Sequence, residues 1–372
     1  MKITSVEAIP LEAPMKGMYN RARQAIPLRA RRCLLVKITT DDGLSGYGEG
    51  VTPVNPQAGA AVVQHVFSTF LIGQDPLHTQ RIWESLYSIQ ASSRGYNRGY
   101  EMIALSAVDN ALWDLKGKIM GQPVYKLLGG ALRDKLPVYV TGLMMTDRRE
   151  LVDLAQSYYE DGFRAMKLKI GIDAKQDIAN VEALRHKFGP DLKIMVDANG
   201  GFDAKTAIRV GRAFEELDVF WFEEPVPMED LNGMARVRES LDIYVAGGEC
   251  EYTNFGFKEI FSKEALDVCQ PDAGRAGGIT GCQKIASLAQ AFQVHYAPHV
   301  WGGVLAFAAS EHLAISQPNF LILEFDRMSN PLREELPTQG LIFKEGYLHV
   351  SEKPGLGIEL NEKQIKKFRA AS

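Results

Sequence analysis

Seven short apolar segments in the second half of the chain each run into a charged or imidazole side chain, and this placement constrains the fold more than any other feature. They are residues 165–170 with Lys167 and Lys169, 194–197 ending on Asp197, 220–223 on Glu223, 245–249 on Glu249, 268–272 on Asp272, 295–299 on His299 and 321–324 on Glu324. A buried strand has no packing reason to end on a carboxylate. A parallel β/α barrel supplies one, because its active site is assembled at the C-terminal ends of its strands. Counted from Lys169, the terminal residues succeed one another at steps of 28, 26, 26, 23, 27 and 25. Each step has room for one strand, one helix and two loops.

With residues 138–141 (Val-Tyr-Val-Thr) as a first strand that carries no evident catalytic group, eight strands occupy residues 126–334. The first 125 residues follow a different pattern. Residues 1–10 alternate as a strand, 32–39 form a second, and Asp41-Asp42-Gly43 supplies a tight turn into 44–49. Leu105, Val108, Leu112 and Leu115 then recur at helical spacing, and Gly121-Gln-Pro123 ends that helix. The result is a separate α+β unit. In the tail, 335–372, the stretches 341–343 and 347–350 alternate as edge strands and are expected to return to the first unit.

Bulk properties exclude several functions. A hydrophobic fraction of 46% and a charged fraction of 24% are those of an ordinary globular protein. A net charge of −4 argues against nucleic acid or an anionic membrane surface as partner. No apolar run approaches the about 20 residues needed to span a bilayer. Residues 1–10 carry Glu7 and do not read as a signal peptide. Cys33, Cys250, Cys269 and Cys282 are too scattered for a disulfide framework and read as small buried hydrophobes in a reducing compartment. A cytoplasmic location is expected.

Asp197, Glu223 and Glu249 end consecutive strands, so a barrel sets them around one point. Three carboxylates that close repel unless a cation compensates, and hard oxygen donors favour Mg²⁺. Glu224 must point away from its neighbour in an extended strand. Lys167 and Lys169 share a strand face; one ammonium beside another and near a cation is expected to have a lowered pKa, which makes a lysine usable as a base. Asp272 and His299 end neighbouring strands, so the carboxylate can fix the imidazole tautomer. His65, His78, His186, His295, His312 and His349 have no such partner and read as structural.

Together, Lys167-x-Lys169, Asp197-Ala-Asn199, Glu223-Glu-Pro225, Gly248-Glu249, Asp272 with Gly277-Gly278, and His299 resemble the mandelate racemase subgroup of the enolase superfamily, over essentially the whole chain and in order. The resemblance implies a modified (β/α) TIM barrel with an N-terminal α+β capping domain (1–125) completed by the C-terminal segment. It implies one Mg²⁺ per subunit, held by Asp197, Glu223 and Glu249. Lys169 and His299 become opposed acid/base groups, as is known of that superfamily, with Asp272 orienting the imidazole. Lys167, Asn199 and Glu324 would meet the substrate carboxylate, Glu324 in its protonated form. A homo-oligomer, often an octamer, is implied as well.

The reaction class implied is abstraction of the α-proton of a small carboxylate. Tyr19, Asn20, Arg21 and Arg23 in one loop and Arg94, Tyr96 and Arg98 in another offer a polar cap, with guanidinium groups suited to a second, distal carboxylate. Residues 299–302 (His-Val-Trp-Gly), 324–327, Asn330-Pro331 and 354–359 resemble galactarolactone cycloisomerases and, more loosely, sugar-acid dehydratases, which puts Trp301 at the site. The polar cap places dehydration of an acid sugar to a 2-keto-3-deoxy acid first. Opening of an aldaric lactone comes second, racemisation third, and a non-catalytic ligand-binding barrel last.

Overall fold

The computed structural model describes residues 1–19, 22, 28–92, 97–144 and 147–371. Its N-terminal unit is an antiparallel sheet of β1 (Ile3–Tyr19), β2 (Leu28–Thr40) and β3 (Ser45–Val51) in that order. The Asp41-Asp42-Gly43 turn closes where Gly43, at φ 84°, donates its N–H to the Thr40 carbonyl. The predicted helix spans Tyr100–Met120 and lies against β3. It approaches closely because Gly46, Gly48 and Gly50 share one strand face: a Cβ on Gly48 would stand 2.2 Å from Ala107 O and from Ala111 N. The helix stops at Gly121, whose left-handed backbone (φ 62°) turns its N–H onto Gly117 O and Lys118 O.

The barrel strands are β4 (Leu136–Leu143), β5 (Ala165–Lys169), β6 (Lys193–Asp197), β7 (Val219–Glu223), β8 (Tyr244–Gly247), β9 (Val268–Cys269), β10 (His295–Tyr296) and β11 (Leu323–Asp326). Each from β4 to β10 pairs in parallel with the next. A parallel bridge from Tyr296 to Phe320 and the pairing of β11 with β4 close the cylinder. Its interior is plugged by one ring of side chains, Tyr139, Ala165, Met195, Trp221, Ala246, Val268, Ala297 and Ile322. The two large members, Tyr139 and Trp221, meet edge to face at 4.9 Å. Side chains two residues on point the same way, so this apolar ring fixes which residues stand above it.

Two buried acids clamp the cap to barrel helices. Asp109 accepts from Thr280 N (2.8 Å) and Thr280 Oγ1 (2.7 Å) at the start of helix Gly278–Ala291. Glu49 accepts from Gly303 N (2.5 Å) and Ala306 N (3.1 Å) at the start of helix Val304–Ser316. Burial pushes both carboxyls up to about 7, against the pull of those N–H groups.

The tail departs from expectation in one respect. β12 (Ile342–Lys344) and β13 (Tyr347–His349) form a hairpin that joins the barrel rather than the cap, with Leu348 opposite Leu136 and Tyr347 opposite Pro137. Residues 136 and 137 precede the first residue at which β4 pairs β11, Val138, so their backbone is free to take a strand there. Only the later tail returns to the cap, where Leu356 N meets Asp114 Oδ1 (2.9 Å) and Ala370 N meets Pro10 O (2.9 Å). Cys33, Cys269 and Cys282 are buried, but Cys250 is exposed, because it follows Glu249 out into the loop beyond β8. No helix among the described residues is long and apolar enough to cross a membrane.

Candidate active site

One step above the apolar ring, period-two alternation turns Met195 into Asp197, Trp221 into Glu223, Val268 into Gln270, Ala297 into His299 and Ile322 into Glu324. Strand register aligns them: Lys169 pairs with Asp197, and Asp197 with Glu223. Glu223 pairs with Ala246, so Glu249 reaches the same level from the turn beyond β8. One oxygen from each of Asp197, Glu223 and Glu249 lies within 4.8 Å of the others, and all three residues are buried. Glu224 stands outside this cluster, with a left-handed backbone (φ 39°) that carries the chain out of the strand.

Three buried carboxylates with no imidazole or thiolate among them form a donor set that fits a hard divalent cation such as Mg²⁺. The three acids sit in unequal surroundings. Burial and the charge of Asp197 push Glu223 well above the carboxylate range. Asp197 is held below that range, because Lys169 and Lys167 overcome its burial.

Lys167 Nζ sits 2.6 Å from Glu223 Oε1, 3.2 Å from Glu324 Oε1 and 3.5 Å from Asp197 Oδ2. Burial disfavours the ammonium, but Glu223, Glu324 and Asp197 outweigh it and raise the pKa well above that of a free lysine. Glu223 moves up through burial and Asp197 although Lys167 pulls it down, while Lys167 moves up because several acids surround it. Lys169 Nζ bonds Asp197 Oδ2 and, at 3.0 Å, Asn199 Oδ1. Asn199 occupies the left-handed region (φ 44°), which Asn tolerates, and its N–H donates to Asp197 Oδ1 at 2.9 Å.

At the other end of the acid row, His299 Nδ1 lies 2.7 Å from Asp272 Oδ2 and its Nε2 3.3 Å from Glu249 Oε2. Burial opposes the imidazolium, yet Glu249, Glu324 and Asp272 push the His299 pKa up to about 9. Glu324 is fixed by the Val300 N–H (2.8 Å) and stands 3.9 Å from His299 Nε2. Lys169 and His299 thus touch opposite ends of the Asp197–Glu223–Glu249 row.

The cavity over this row is bounded by Lys169, Glu249, His299 and Glu324 below and by Leu28, Val51, Pro53 and Val54 from the cap. Trp301 forms part of the wall and is backed by the Arg31 guanidinium, 4.2 Å from its ring centre. Arg31 is itself locked to Asp326 at 2.6 Å. Arg21, Arg94 and Tyr96, with Asn20 and Arg23, lie outside the described residues, as does the side chain of Tyr19. Arg98 pairs with Glu251 at 3.3 Å and is not among the residues that line the cavity. The cap residues that line the described part of the cavity, Leu28, Val51, Pro53 and Val54, are apolar, and the other side chains expected to make the cap polar lie outside the described residues.

Two residues at the site escaped the sequence reading. Gln270 Nε2 donates to Glu223 Oε2 at 2.8 Å; the alternation Val268-x-Gln270-x-Asp272 contains that signal. Arg275 also lines the cavity, and nothing in the Gly-rich stretch around it announces this.

Residues 20–129 match the family described as mandelate racemase / muconate lactonizing enzyme, N-terminal domain, and residues 150–364 match the enolase C-terminal domain-like family. The chain is 39% identical over 381 aligned positions to D-galactarolactone cycloisomerase of Agrobacterium fabrum, covering 99% of each. It is 33% identical to arabinonate dehydratase of Saccharolobus solfataricus over 340 positions, 90% of each. Among solved structures, the 3,6-anhydro-D-galactonate cycloisomerase from Zobellia galactanivorans superposes with a TM-score of 0.91 at 35% identity, covering 100% of both chains. With both domain families matched in order along a capped barrel, the chain is an enzyme, a lyase or isomerase, that belongs to the mandelate racemase subgroup of the enolase superfamily.

Proposed function

We propose that this enzyme removes the α-proton of an acid-sugar carboxylate and expels the oxygen on the neighbouring β-carbon, with a lactone ring oxygen as the leaving group. The observation that carries this reading is the row of three acids flanked by Lys169 on one end and His299 on the other. Asp197, Glu223 and Glu249 would hold Mg²⁺, which when bound supplies positive charge to a carboxylate whose deprotonated form carries two negative charges. Lys167 and Glu324, 3.2 Å apart, bracket the place where that carboxylate would rest. Lys169, steadied by Asn199, and His299, steadied by Asp272, face the α-carbon from two sides. One takes the α-proton and the other serves the departing oxygen or returns a proton to carbon.

The sequence puts dehydration of an open-chain acid first; two observations favour ring opening instead. The described cap wall is Leu28, Val51, Pro53 and Val54, which suits a compact ring better than a fully hydroxylated chain. Two of the relatives compared are also named cycloisomerases. Dehydration stays as the second reading on the strength of the arabinonate dehydratase likeness. Incubation with Mg²⁺ in D₂O against D-galactarolactone and a panel of aldonic and aldaric acids separates them by NMR. A ring-opened 2-keto acid from the lactone, with deuterium on its new methylene carbon (the former β-carbon), supports the first reading. Keto acid from open-chain members alone transfers the assignment to dehydration. Neither keto acid nor deuterium incorporation with any carboxylate removes both.

A further inference from the structure

We propose that Arg275 receives a second carboxyl group of the substrate, on the His299 side of the cavity, so that the enzyme selects dicarboxylic acid sugars or their lactones. The inference rests on the elimination chemistry proposed above and narrows its substrate class. Arg275 lines the active-site cavity together with Val51, Glu249 and His299. The guanidinium meets the Tyr252 side chain, but its Nε is enclosed and has no hydrogen-bond partner, and among the described residues it forms no ion pair with a carboxylate. An enclosed guanidinium donor left open is costly unless a ligand completes it.

The backbone fixes where this group points. Arg275 N–H donates to Asp272 O at 2.9 Å and Gly274 N–H to Asp272 Oδ1 at 2.6 Å, so the turn is built on the acid that orients His299. Gly274 O accepts from Val51 N at 2.8 Å, and a Cβ on Gly274 would stand 2.3 Å from Val51 Cγ2. Arg275 therefore hangs at the junction of barrel and cap, on the His299 side. Arg98, the described cap arginine that sequence offered for a distal carboxylate, is occupied by Glu251. Guanidinium is the side chain best matched to a carboxylate, through paired N–H donors.

For a lactone the chemistry gives this contact a purpose. The α C–H electron pair becomes the new C=C bond, and the ring C–O bond breaks with its electrons leaving on the ester oxygen. That oxygen becomes part of a free carboxylate. The proton removed by the base returns to carbon as the enol becomes the ketone, so the product is an isomer and no co-reactant is consumed. Arg275 meets the negative charge as it appears on the leaving carboxylate.

The test measures kcat/KM of the wild type, R275K and R275Q with Mg²⁺ on D-galactarolactone and on D-galactonate, with 2-keto acid formation followed in parallel. The affinity of D-galactarate relative to D-galactonate is read by calorimetry on the same proteins. The expected result is that R275Q loses the preference for the dicarboxylate by about 10- to 100-fold in both ratios, with R275K in between. Equal losses on both acids, or no change in either ratio, overturn the assignment of Arg275 while keto-acid formation by the wild type leaves the elimination reading intact. Absence of keto acid from every substrate with the wild type removes the elimination reading itself and this inference with it.

Discussion

Buried acids serve two regions of this molecule in opposite ways. On the barrel rim Asp197, Glu223 and Glu249 gather oxygens within 4.8 Å of one another, and two lysines are drawn in beside them. On the seam between cap and barrel, Glu49 and Asp109 are as deeply buried, but each is met by N–H groups at the first turn of a barrel helix. An acid at a helix N-terminus is complete, since it satisfies donors that the helix cannot. A crowd of acids is not, and calls for a cation. Burial alone therefore marks neither a structural nor a functional acid; the neighbours do.

Metal removal puts the sharpest strain on this contrast. Chelation should abolish turnover, and Mg²⁺ should restore it. Mg²⁺ should also raise the thermal midpoint of the wild type by mass action, and do so much less for E223Q. Equal stabilisation of the two proteins by Mg²⁺ would mean that the rim acids are not its site, and the distinction between rim and seam would fail. Next in size, H299N should lower kcat by about 10²- to 10⁴-fold with the fold intact, the usual worth of a positioned proton-transfer group. Circular dichroism and the D₂O exchange rate, measured together, check that the loss is chemical.

The seam should answer in the other currency. Asp109→Ala leaves Thr280 N buried without its partner, so stability should fall by about 1–3 kcal/mol while kcat changes only a few-fold. Urea unfolding read beside steady-state kinetics decides it. A loss of activity larger than the loss of folded protein would move Asp109 from the seam to the site.

These two sets of acids were unequally legible. The rim could be read because strand alternation forces a local signature: an apolar stretch, then a carboxylate, repeated at the period of one β/α unit. Glu49 and Asp109 carry no such signature. Their partners lie 254 and 171 residues away, and only the fold brings them together. The hairpin of β12 and β13 shows the same limit, since its alternation is visible in sequence but the free start of β4 that captures it is not. The lysine pair is visible in sequence, but the three acids within 3.5 Å of Lys167 come from other strands and are not. Arg275 stayed hidden because a lone arginine in a glycine-rich turn resembles any surface arginine until the cavity above it is known.

The finest test of the comparison is the pH dependence of the seam. Asp109 in the folded chain is pushed up to about 7 from an ordinary value of 3.8, chiefly by burial. A carboxyl whose folded pKa lies above its unfolded one binds its proton more tightly in the native state. Its stabilising contribution is complete below about pH 4 and is lost as pH rises through about 7. Asn cannot ionise, so D109N should gain ground on the wild type between pH 4 and 7 and hold a constant difference above about pH 8. Urea midpoints of both proteins across that range isolate the effect, because every other titrating group is common to the two. If D109N instead lost ground as pH rose, the helix N-terminus would be holding ionised Asp109 more strongly than burial opposes it. The seam acids would then be charged clamps, nearer in kind to Asp197 than their isolation implies.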